Sequence, residues 1–96
     1  MPSYRVRLVA GLMHRSVDPA DVLPAAVATA RERTAVEAGQ IDLVGGQPVL
    51  TVRYEAPDDA TAAAIGRAVV ARVDELVDVE GSRVTRRFGA RWYPMH

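Results

Sequence analysis

Two histidines, His14 and His96, are the only imidazoles, and cysteine, lysine and asparagine are absent. That inventory excludes thiolate nucleophiles, thiolate metal or redox sites and Schiff-base chemistry. The one candidate for acid–base work is His14, within Gly11-Leu12-Met13-His14-Arg15-Ser16. This segment follows the first expected strand and precedes a helix start, a place that favours anions. There His14 would act as general acid or base and Arg15 as a phosphate or oxyanion clamp. The plainer reading of a lone loop histidine is a solvated side chain. No zinc spacing exists, and Asp58-Asp59 reads as helix capping rather than a metal pair. Gly45-Gly46 matches neither a phosphate loop nor a dinucleotide fingerprint. No Ser-His-Asp arrangement follows from Ser3, Ser16 or Ser82. No metal and no cofactor is expected.

The second chemical resource is arginine. Twelve basic residues balance twelve acidic ones, for a formal net charge of zero. With lysine absent, every basic side chain is a planar fork suited to carboxylate or phosphate. Strand parity puts Arg5 and Arg7 with Val9 on one sheet face, with Arg53 beside Val49 and Thr51. Arg83, Thr85 and Arg87 join them, with Arg91 extending the row. The acids lie mostly in the expected helices and loops. A neutral chain is then polarised, with a basic sheet face able to attract an anionic partner. The plainer reading is a solvated polar face, normal for an antiparallel sheet. Parity places Tyr4 and Tyr54 on the opposite, inner face. The basic face then lacks the aromatic platforms of nucleic-acid readers, and sequence-independent phosphate binding is a disfavoured third reading.

A third feature is the C-terminus. Phe88, Trp92 and Tyr93, three of the five aromatic residues, fall in the last nine positions. A free tail gains nothing from large apolar groups. This one must dock on its own domain, on a second subunit or on a ligand, and aromatics with arginine suit an interface.

The elements that position these groups are short. Tyr4 to Ala10 alternates as a half-buried strand, and Gly11 to Val17 reads as a loop. A helix is expected to start between Asp21 and Pro24 and run to about Glu37, with Gly39 as its stop. Gln40 to Val44 reads as a strand, Gly45-Gly46 as a hairpin turn, and Pro48 as the start of the next strand. Pro57-Asp58-Asp59 opens a second helix. Its apolar stripe of Ala62, Ile65, Val69, Val73 and Leu76 is widened by Gly66, Val70 and Val77. Gly81 ends the connection, and Ser82 to Phe88 forms a last strand. There Arg86 breaks the parity between Val84 and Phe88, so a bulge or another register is needed.

The order β-α-β-β-α-β predicts an α+β, ferredoxin-like sandwich. Its four-stranded antiparallel sheet, in order 4-1-3-2, would carry both helices on one face. The same order occurs in dimeric α+β barrels, where two sheets pack face to face. Residues 1–96 are read as one domain, with 89–96 an aromatic C-terminal extension. No apolar run approaches the roughly 20 residues that span a bilayer, and Arg5 and Arg7 interrupt any signal-like start. A cytoplasmic protein with no membrane partner is expected. The leading reading is a small non-catalytic interaction module. It would bind an acidic partner, or pair as a homodimer, through the basic face and aromatic tail. A small enzyme acting on an anionic substrate through His14 and Arg15 is the alternative.

Overall fold

The structure, a computed structural model, describes residues 1–95. Its elements are β1 (Ser3–Met13), α1 (Val22–Arg31), β2 (Val36–Val44), β3 (Gln47–Glu55), α2 (Asp59–Asp74), β4 (Val77–Phe88) and β5 (Arg91–Pro94). All strand pairs are antiparallel, in the order β2-β3-β1-β4-β5. Both helices contribute to one core with the inner sheet face. An α+β fold with one antiparallel sheet and two helices is therefore borne out. The four-stranded sheet is not: a fifth strand lies on the outer side of β4.

Alternation makes the core. Tyr4, Val6, Leu8 and Ala10 of β1 are buried, as are Leu50, Val52 and Tyr54 of β3. Tyr4 stands opposite Tyr54 with ring centroids 6.2 Å apart. Both phenols are satisfied: Tyr54 donates to the Ala62 carbonyl at 2.7 Å and Tyr4 to Asp59 Oδ1 at 2.6 Å. Above them lies the α2 stripe of Ala62, Ile65, Val69 and Val73. Asp58 caps this helix by accepting from the Thr61 N–H at 2.8 Å. Gly66 lets α2 approach the sheet, since a Cβ there would stand 2.5 Å from a Val84 methyl.

Five boundaries differ from expectation. α1 ends at Arg31, not near Glu37. Its buried positions are Val22, Ala26 and Ala30; the next turn offers Arg33 and Thr34, so the apolar stripe has run out. Thr34 instead fixes the chain by donating its hydroxyl to the Glu55 carbonyl at 2.5 Å. Gly39 is no helix stop but part of β2, where a Cβ would meet Val27 of α1 at 2.5 Å. β1 and β4 are longer than their alternation suggested: Gly11 lies in β1 and Gly81 in β4. The register shifts between Val9 and Ala10 and between Ala10 and Met13 let these strands continue past the glycines. α2 ends at Asp74, so Leu76 and Val77 lie beyond it and Val77 opens β4.

Arg86 needs no bulge. Val6 opposes Val84 and Tyr4 opposes Arg86 without a shift, so Arg86 shares the helix side of the sheet. Its charge is met there by Asp59 at 3.0 Å, and its guanidinium lies 4.8 Å from the Phe88 ring centre. The aromatic extension is largely sheet. Gly89, at φ 61°, turns the chain, and β5 pairs back along β4 from Phe88–Arg91 to Thr85–Pro94.

Candidate functional site

The sheet face away from the helices carries the arginine rows. Register sets Arg5 directly opposite Arg53 and Arg7 directly opposite Arg83. Like charges directly opposite each other destabilise a sheet, so this face holds repulsion that an anion would relieve. Arg53 has a partner, Glu37, at 2.9 Å. Arg5 and Arg7 have no ion-pair partner among the described residues. Burial, and then the charges of Arg7 and Arg53, lower the Arg5 pKa from its ordinary value. The Nε atoms of Arg5 and Arg53 and the hydroxyl of Thr85 are buried without a hydrogen-bond partner.

Trp92 completes this site. It stands opposite Arg87, which puts its indole on the same open face. The Arg5 guanidinium carbon lies 4.7 Å from the indole centre and that of Arg53 lies 5.2 Å from it. Such contacts favour the cation. Arg5, Arg7, Arg53 and Trp92, with Thr51, Gln40 and Asp42, line a hollow of about 240 Å³. Gln40 donates to Asp42 at 2.9 Å along one wall. A carboxylate entering from solvent would meet several guanidinium forks together, the strong mode of charge-assisted hydrogen bonding.

The other expected residues are dispersed. Arg83 and Arg87 are exposed on the open face, and Arg87 Nε donates to the Gly89 carbonyl at 2.7 Å. Arg91 stands opposite Phe88, so it leaves the row of Arg87 for the other side of the sheet. Phe88 and Tyr93 also lie on that side, edge to face at 5.7 Å and about half exposed. The three expected interface aromatics therefore divide, with only Trp92 reaching the arginines of the open face. His14 lies at the end of β1, its Nε2 2.8 Å from Asp78 and its Nδ1 3.0 Å from the Glu75 carbonyl. The hydrogen bond to Asp78, then that to Glu75, raises its pKa. Arg15 is exposed in the following turn. His96 lies outside the described residues. Among the described residues, no group of three or more His, Asp or Glu could hold a metal, and no helix is long and apolar enough to cross a membrane.

Sequence reasoning passed over Glu37, Gln40 and Asp42. The signal for two of them was present: a two-residue turn at Gly45-Gly46 fixes Gln40 opposite Thr51 and Asp42 opposite Val49. Glu37 was hidden by its assignment to a helix. A larger hollow of about 700 Å³ lies between α2 and β4. Its apolar floor of Val70, Val79, Val84 and Met95 is rimmed by Arg67, Arg83, Asp74 and Glu80. Two cations and two carboxylates balance there, whereas three guanidiniums face the single carboxylate of Asp42 in the smaller hollow, which is therefore the better candidate for an anion.

No family model matches the chain, and no curated protein matches it. Among solved structures it is similar to Rv0793 from Mycobacterium tuberculosis, at 19% identity over 92% of this chain and 94% of that one. The TM-score is 0.47, a likeness that carries no functional conclusion.

Proposed function

We propose that this chain is a small, non-catalytic interaction module on a ferredoxin-like scaffold extended by one strand, with a cytoplasmic setting. Its open sheet face takes a carboxylate-rich protein partner. The observation that carries this reading is the convergence of Arg5, Arg7 and Arg53 on one hollow beside Trp92. Arg5 and Arg7 have no ion-pair partner among the described residues. An acidic side chain would relieve the repulsion between the opposed arginines and would pair the buried forks.

Two features favour this over its rivals. A face-to-face homodimer would set these arginines against their own equivalents, a like-charge contact that an isologous interface repeats in both copies. A base would find the Trp92 ring already faced by two guanidiniums, which weakens it as a stacking platform. The enzyme alternative through His14 and Arg15 gains no observation of its own, because both ring nitrogens of His14 already have partners.

The single tryptophan gives a direct test. A glutamate-only hexapeptide is titrated against the full chain while Trp92 fluorescence is followed. A saturable change that weakens with added salt and disappears in Arg5→Ala supports the module. No change at low salt refutes it. Tighter binding of a single-stranded RNA of equal charge would replace a protein partner with a nucleic acid.

A further inference from the structure

The inner face and the open face leave a third surface, the outer edge of β2. β2 ends the sheet on that side. Gly45 and Gly46, at φ 58° and 82°, form a two-residue turn of the type that makes Val44 and Gln47 a hydrogen-bonded pair. Back along β2, the backbone N–H and C=O groups therefore point toward β3 at Val44, Asp42 and Gln40. At Leu43, Ile41 and Gly39 they point outward, with no strand among the described residues to receive them.

Long edges of this kind are ordinarily blunted by charged side chains, lysine above all, by proline, by a bulge or by a covering element. β2 has nine residues and no proline or basic residue. Its one irregularity lies between Val36 and Ala38, which leaves Gly39–Val44 regular. Ile41 is 50% exposed and Leu43 76%. With Asp42 the one charge in that stretch, this lightly guarded edge with apolar side chains is a template for another strand.

The spacing of its charges identifies that strand. In an antiparallel pairing of β2 with its own copy, three adjacent registers keep most of this segment paired. Centred on Asp42, the pairing sets two carboxylates directly opposite each other, which is unfavourable. Centred on Gln40, it runs Asp42 to Val44 against the irregular stretch from Val36 to Ala38, so only Gly39 to Ile41 pair regularly. Centred on Ile41, it sets the two Ile41 side chains together on the helix side. On the open side the same register sets Asp42 opposite Gln40, an acceptor opposite an amide donor.

We propose that β2 is a self-association edge, pairing antiparallel with β2 of a second copy so that Ile41 faces the partner's Ile41. The result is one ten-stranded sheet with both open faces on the same side. This inference rests on the edge and stands whether or not the open face binds acids. A single strand pair is a small interface, below the roughly 1,200 Å² of stable complexes, so the dimer is expected to be concentration-dependent.

The chain's lack of cysteine allows a clean test. Opposed residues of a hydrogen-bonded antiparallel pair have Cα atoms about 5.5 Å apart, within the span of a disulfide. Under mild oxidation, Ile41→Cys is expected to give a covalent dimer and Leu43→Cys, whose opposite residue is glycine, little or none. In parallel, light scattering over a wide concentration range is expected to show wild-type dimer and an Ile41→Lys monomer. A wild type that stays monomeric throughout, a dimer that survives Ile41→Lys, or equal cross-linking of both cysteine variants overturns the proposal. The half-exposed position of Ile41 keeps the cysteine variant foldable, and circular dichroism checks this.

Discussion

The contact between Tyr4 and Asp59 ties the first strand to the start of α2, and its strength can be worked out. Tyr4 is fully buried and donates to Asp59 Oδ1 at 2.6 Å, while Arg86 Nη1 lies 3.0 Å from the same oxygen. Burial and then this hydrogen bond push the Tyr4 phenol up to about 12. Asp59→Ala leaves a buried hydroxyl without an acceptor, a cost of about 1–3 kcal/mol. The partly exposed pair with Arg86 adds about 0–1 kcal/mol. Tyr4→Phe costs less, about 1 kcal/mol, because the half-exposed carboxylate regains water and keeps Arg86. In the double variant the orphaned phenol is gone. The two costs are then expected to fall short of their sum by about 1–2 kcal/mol. Asp59 also sits in the first turn of α2, where negative charge is favoured, so only the cycle isolates the pair. Urea and thermal unfolding followed by circular dichroism read the effect; a domain of this size shifts by about 4–8 °C per kcal/mol. Additivity within about 0.5 kcal/mol would refute the contact as an energetic link.

Three further outcomes are expected. Val69→Asp replaces a fully buried side chain, losing about 2 kcal/mol of burial and adding several kcal/mol for an unpaired carboxylate. Against a stability of roughly 5–14 kcal/mol for a chain this long, the variant should be largely unfolded by circular dichroism, and a near-native melt would contradict the core assignment. His14 has a raised folded pKa, so its pairing with Asp78 stabilises fully below the ordinary histidine value of about 6.5 and is lost as pH rises through the higher folded value. The wild-type melting temperature should therefore fall relative to His14→Gln across that rise; parallel curves would exclude the linkage. Ending the chain at Arg91 removes most of β5 and uncovers Thr85 and Arg5. Melting at a clearly lower temperature is expected, and an unchanged melt would make β5 dispensable.

Much of this fold could be read from local pattern. Alternation in Tyr4–Ala10 and Leu50–Tyr54, the Gly45-Gly46 turn and the Asp58 cap each depend on neighbours in sequence, and each is found in place. What escaped depends on contacts across the fold. Gly39 and Gly81 read as punctuation, yet Gly39 is needed because Val27 of α1 packs against it. Gly81 continues a strand because β1 pairs with it at Val9. β5 escaped because four residues without alternation carry almost no strand signal; the pairing with β4 makes the strand. The candidate site divides the same way. Parity found Arg5, Arg7 and Arg53, but the approach of Trp92 from β5 and the closing wall from β2 required the sheet order. Arg91 shows the limit of extending parity through a turn.

The proposed function requires that the arginine hollow, and not another basic surface, receive the acidic partner. Backbone and side-chain amide shifts of the full chain, recorded by NMR as a glutamate-only hexapeptide is added at low salt, test it most directly. Saturable shifts are expected to concentrate at the Trp92 indole N–H and the Nε–H groups of Arg5 and Arg53, with little change along α1 and α2. Shifts spread evenly over the exposed arginines, or centred on His14 and Arg15, would contradict it.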